Sequence, residues 1–154
     1  MEKIKKKFIS FLSESPDETK SIAEKIISEF SKNRVFLLFG EIGSGKTTFI
    51  KGVAKKLGID EDAITSPTFS ISQEYWGEEK NIVHIDLYRL ENKKEIEEVV
   101  NFICEKYKED KNSLIFIEWA EKLEEYEKLL PESIKINLKF GKNETQREIE
   151  VISE

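Results

Sequence analysis

Gly40-Glu41-Ile42-Gly43-Ser44-Gly45-Lys46-Thr47 sets glycines, a lysine and a hydroxyl at the spacing of a phosphate-binding loop. Each residue type has a chemical reason. Glycines let successive backbone N–H groups turn inward around a β-phosphate, where a Cβ would collide. A helix starting near Lys46 would add its positive end. Lys46 would reach the β- and γ-phosphates, and the Thr47 hydroxyl would ligate Mg²⁺. Glu41, Ile42, Gly43, Ser44, Gly45, Lys46, Thr47 and Thr48 are therefore the candidate nucleotide-binding residues.

Hydrolysis at such a loop also needs a carboxylate near the metal and a group that orients water. Two apolar runs end in carboxylates: Ile82-Val83-His84-Ile85-Asp86 and Leu114-Ile115-Phe116-Ile117-Glu118. Ligands gather at the carboxyl ends of parallel strands, so Asp86 and Glu118 are both candidates. Pattern alone leaves their roles open. His84 reads as a structural residue inside its strand. Trp76 and Trp119 read as core or interface residues, with core packing the default. Asn92-Lys93-Lys94-Glu95 is close to a guanine-reading motif, but it opens a helix and is better read as a cap.

The elements that would position these residues follow from periodicity. Lys7 to Leu12 reads as a strand. Ser15-Pro16-Asp17-Glu18 starts a helix with a capping box, running to about Phe30. Val35 to Phe39 is a buried parallel strand, and Thr48 to Leu57 a helix closed by Gly58. Alternation over Phe69 to Trp76 and the run from Ile82 to Leu87 predict an antiparallel hairpin. Asn92 to Tyr107 is an amphipathic helix, 114–117 a central strand, and 121–130 a short helix ended by Pro131. Ile134 to Phe140 and Ile149 to Val151 form a C-terminal hairpin. The order predicts one three-layer α/β domain of P-loop NTPase type over residues 1–154, with a mixed parallel and antiparallel sheet.

Composition narrows the function classes. The 154 residues carry a net charge of −6, which argues against strong unaided binding to nucleic acid. One cysteine and one histidine argue against an internal disulfide and a multi-histidine metal centre. No apolar run approaches the ~20 residues of a membrane span. The basic start, Met1 to Lys7, lacks a following apolar stretch, so the expectation is a cytoplasmic protein.

Taken in order, Gly40–Thr48, Ser66-Pro67-Thr68-Phe69 with Tyr75, His84-Ile85-Asp86-Leu87-Tyr88-Arg89 and Ile117-Glu118-Trp119 resemble the bacterial TsaE (YjeE) family. The resemblance covers roughly residues 10–150. It implies the ATPase of tRNA N6-threonylcarbamoyladenosine (t6A) synthesis, acting on Mg·ATP with ADP as product. It implies that Asp86 lies near the metal, that Glu118 serves hydrolysis and that Trp119 lies beside the nucleotide. Thr65 to Phe69 would form a switch-like loop sensing the γ-phosphate. It further implies work in a complex with TsaD and TsaB, touching tRNA only through that complex. Such an ATPase would reset the complex between turnovers and would not itself transfer threonylcarbamoyl.

Two other readings share the P-loop. A small-molecule or nucleoside kinase would transfer phosphate to an acceptor. It is disfavoured because only Arg34, Arg89 and Arg147 are available to hold phosphates. A nucleotide-sensing binding protein would tolerate loss of Glu118 but not of Lys46.

Overall fold

The computed structural model describes residues 7–65 and 71–153. Three apolar runs form its centre: β2 (Val35–Phe39), β4 (Asn81–Asp86) and β5 (Ser113–Glu118). Almost all their side chains are buried, as befits strands covered on both faces. They pair in parallel, and β6 (Ser133–Phe140) joins β2 in parallel as well. Antiparallel strands flank this centre: β3 (Ser72–Trp76) on β4, β7 (Arg147–Ser153) on β6 and β1 (Lys7–Ser13) on β7. The sheet order is β1-β7-β6-β2-β5-β4-β3. The mixed sheet and both predicted hairpins are thus present.

Helices cover both faces. The α1 helix (Pro16–Glu29) begins at Ser15, whose Oγ accepts the Glu18 N–H at 3.1 Å, while Glu18 Oε2 accepts the Glu14 N–H at 2.8 Å. It packs on α2 (Lys46–Lys56), and together they bury one face of the sheet with Phe36, Phe49 and Phe116. The approach of these helices requires Gly52, where a Cβ would lie 2.5 Å from the Lys20 carbonyl oxygen. On the other face, α3 (Lys93–Glu109) is capped by Asn92, whose Oδ1 accepts the Glu95 N–H at 2.8 Å. It packs with Val35, Leu37, Ile115 and Ile117.

The short helix expected over 121–130 is present, as a 3₁₀-helix over 120–129. Ala120, Leu123 and Tyr126 turn toward the core at a spacing of three, which aligns them on one face only at the tighter pitch. Trp76 is 69% exposed, not core, because it ends the edge strand β3. Of the strand expected over Phe69 to Trp76, Ser72–Trp76 is seen, and Phe69 and Ser70 lie outside the described residues. Residues 66–69 of the predicted switch lie outside the described residues, leaving only Thr65 of that segment on view.

Candidate nucleotide site

The glycine loop joins β2 to α2 as its pattern requires. Gly43 and Gly45 adopt φ of 82° and 107°, which an L side chain rarely tolerates. Gly40 is fixed by space, since a Cβ there would lie 2.4 Å from Ser44 Oγ and 2.7 Å from the Leu138 carbonyl oxygen. The Ser44 N–H closes the turn onto Glu41 O at 3.0 Å.

Register then decides which side chains meet the loop. Asp86 and Glu118 are direct partners on β4 and β5, and His84 pairs with Phe116 two residues earlier. All four lie on one face of the sheet, the face covered by α2. Ile42, Gly43, Gly45, Lys46, Thr47, Thr48, Asp86, Glu118 and Trp119 line one cavity of about 250 Å³. Glu41 lines an adjoining open hollow of about 540 Å³, together with Ile42 and Trp119. Ser44 is the exception among the candidates: its side chain is buried beneath the loop, and its hydroxyl has no partner among the described residues. A hollow of about 610 Å³ near the C-terminal ends of α1 and α2 is larger, but it contains none of the candidates.

Within the cavity the charges are held apart. The Lys46 ammonium donates to Gly40 O and lies 4.5 Å from the Trp119 ring centroid. A carbonyl and a ring carry no full charge, so neither neutralises it. Glu118 is 3% exposed, and its Oε2 accepts a hydrogen bond from His84 Nε2. His84 is fully buried, and its Nδ1 has no partner among the described residues. Asp86 Oδ1 accepts the Tyr88 N–H at 2.9 Å. Burial pushes the Asp86 pKa up; the Tyr88 N–H opposes that, and the Glu118 charge adds to it. Trp119 itself adopts φ 60°, the only non-glycine residue at positive φ among those described. That conformation costs on the order of 1 kcal/mol and turns the indole over Lys46.

The donor set fits a small hard cation. The Thr47 hydroxyl and the Asp86 and Glu118 carboxylates are oxygen donors of the type Mg²⁺ prefers. A divalent charge would also relieve the penalty that burial imposes on Asp86.

His84 is the residue sequence reasoning passed over. It reads as structural strand interior, and its carboxylate partner follows only from the pairing of β4 with β5. Lys122 was also missed. Its ammonium donates to Tyr88 O at 2.6 Å and Leu90 O at 2.7 Å, holding the turn after β4 against Trp119. Arg89 is exposed and does not line the cavity.

A glycine loop between a buried parallel strand and a helix, with carboxylates ending neighbouring strands, defines a P-loop NTPase-like fold. Comparison with known proteins narrows the class. The family model for "Threonylcarbamoyl adenosine biosynthesis protein TsaE" matches residues 13–149, so the chain belongs to the TsaE family. The tRNA threonylcarbamoyladenosine biosynthesis protein TsaE of Bacillus subtilis (strain 168) is 37% identical over 136 residues, covering 88% of this chain and 79% of that one. Its counterpart in Rickettsia conorii is 36% identical over 125 residues, covering 80% and 67%. Among solved structures, Bacillus subtilis YdiB superposes with a TM-score of 0.69 at 29% identity, covering 98% of this chain and 88% of that one. Among the described residues, no helix is long and apolar enough to cross a membrane.

Proposed function

We propose that the chain is a slow, partner-stimulated Mg·ATPase that supports t6A synthesis, working in the cytoplasm with TsaD and TsaB. The observation that carries this is the convergence of Lys46, Thr47, Asp86 and Glu118 on one cavity below a glycine loop. The family membership supplies the pathway, and the proteins it resembles are named for that biosynthesis.

Each residue has a task. Lys46 would leave the Gly40 carbonyl for the phosphate oxygens, which carry full charge and attract it more strongly. Thr47 and Asp86 would hold Mg²⁺, whose chemical contribution is to neutralise phosphate charge. Glu118 would orient the attacking water. One of its oxygens is occupied by His84, so the other is the one left to accept from water. Trp119 would flank the nucleotide, since it lines both the phosphate cavity and the open hollow beside it. The small cavity suits phosphates and metal, with the rest of the nucleotide in that hollow.

Slow turnover alone follows from what the cavity lacks among the described residues. No guanidinium lines it, and Arg89 lies exposed in a turn outside it. Without such a charge, the developing charge on the transferring phosphoryl group has only Lys46 and the metal to meet it. A partner could complete that set. The net charge of −6 favours contact with tRNA through partners rather than directly.

The test is phosphate release from Mg·ATP by the chain alone and with TsaD and TsaB, using Lys46→Ala as the blank. Slow release that the partners stimulate strongly is expected. Release unchanged by partners would remove the reset-ATPase reading, and phosphate appearing on an added acceptor would replace it with a kinase.

A further inference from the structure

An inward-facing ring of loop N–H groups leaves carbonyls facing outward, and those also need partners. Two of them find one side chain from the far end of the sequence. Arg147, the first residue of β7, donates from Nε to Ser44 O and from Nη2 to Gly43 O, each at 3.2 Å. Its Nη1 donates to Glu144 O at 2.6 Å and to Gln146 O at 2.9 Å. The guanidinium stacks on Phe140, its register partner on β6, at 4.5 Å from the ring centroid. All four acceptors are backbone carbonyls, and no carboxylate pairs with Arg147 among the described residues.

The hairpin that carries Arg147 also backs the loop. A Cβ at Gly45 would meet Leu138 at 3.6 Å, and one at Gly43 would meet Phe140 at 3.9 Å. The β6–β7 turn is itself tied: Gly141 N–H donates to Gln146 O, and Lys142 N–H to Gln146 Oε1, each at 2.8 Å. The loop therefore sits between the candidate cavity and a rigid antiparallel wall.

We infer that Arg147 is a positioning residue for the phosphate loop, and that the C-terminal hairpin is the brace that holds the loop in its anion-binding shape. A trans peptide is planar, so fixing a carbonyl on one side fixes the next N–H on the other. Holding Gly43 O supports the turn that the Ser44 N–H closes. Holding Ser44 O sets the direction of the Gly45 N–H, whose residue lines the cavity. A guanidinium on the carbonyl also polarises the peptide and makes that N–H a stronger donor. Arginine suits the task because its planar fork spans two successive carbonyls, which a lysine ammonium cannot do in fixed geometry.

This inference rests on the phosphate-binding reading, and its test separates the two. Mg·ADP is titrated calorimetrically into wild-type, Arg147→Ala, Arg147→Lys and Lys139→Ala chains, with melting curves recorded without nucleotide. Lys139 pairs with Glu150 across the same hairpin, so it reports on hairpin stability alone. Arg147→Ala should weaken Mg·ADP about tenfold or more. Arg147→Lys should recover only a minor part of that loss, and Lys139→Ala should bind like wild type. Wild-type affinity in Arg147→Ala, or full rescue by lysine, would overturn the inference, as would a fall in melting temperature with no change in affinity. If the alanine variant does not fold, the lysine variant decides. A wild-type chain that does not bind Mg·ADP would remove the phosphate reading first and the brace with it.

Discussion

At the amino ends of the central strands, Arg34 donates to Asp110 O at 3.0 Å and Tyr107 O at 2.9 Å and stacks on the Tyr107 ring at 3.8 Å. Both Asp110 carboxylate oxygens accept there, from Asn81 and from the Asn112 N–H, each at 3.1 Å. Lys106 closes the group with Glu74 at 2.7 Å. At the carboxyl ends, some 6 residues along the same strands, the polar groups are poorly matched. Asp86 and Glu118 sit side by side, Lys46 leans on a carbonyl, and His84 Nδ1 and Ser44 Oγ have no partner among the described residues. Trp119 and three loop glycines hold positive φ. Only Glu74 Oε2 is unmatched in the first group. One end spends its polar residues on stability. The other holds them in readiness for a ligand that brings the missing partners.

The contrast should break in opposite ways at the two ends. The largest effect is expected from Glu118→Gln, which should lower ATP hydrolysis by at least about a hundredfold while Mg·ATP affinity stays near wild type. His84→Leu should reproduce much of that loss, and His84→Gln, whose amide can still donate to Glu118, should restore part of it. Equal rates in the two His84 variants would mean the hydrogen bond to Glu118 is not used.

At the opposite end, Asp110→Ala should destabilise the chain by about 2–3 kcal/mol in urea unfolding, because Asn81 and the Asn112 N–H lose their acceptors. Nucleotide affinity should not move. A matching loss of affinity would show that the two ends are coupled rather than separate.

A smaller effect sharpens the comparison at Asp86. Its pKa is raised in the folded chain, mainly by burial. Just above the ordinary carboxylate range, the folded state therefore keeps a proton that the unfolded chain has lost. That contribution to stability is complete below the ordinary Asp pKa and falls as pH rises through the raised one. Asp86→Asn should flatten the fall and raise the melting temperature at neutral pH without nucleotide. An unchanged pH profile would contradict the burial account. The smallest effect is set far from both ends. Asn92→Ala removes the α3 cap and should cost about 1 kcal/mol, with no change in nucleotide binding.

Much of this was legible in the sequence where local rules govern. The N-caps at Ser15 and Asn92, the apolar runs of β2, β4 and β5, and the loop between β2 and α2 follow from residue type and spacing. Asp86 and Glu118, which line one cavity, were singled out because ligands gather where parallel strands end. What was missed depends on long-range contacts. The short helix was expected, but its 3₁₀ pitch, matched by period-three burial at Ala120, Leu123 and Tyr126, was not. The His84–Glu118 bond needs the strand register, and the Arg147 clamp joins residues more than a hundred positions apart. No local pattern announces either.

The most direct test of the contrast is a calorimetric titration of Mg·ADP into wild-type and Lys46→Ala chains, each with a melting curve. The account predicts clear binding by wild type, at least a hundredfold weaker binding by Lys46→Ala, and melting temperatures that nearly coincide. Equal affinity in the two chains would contradict it, and would move the nucleotide away from the loop.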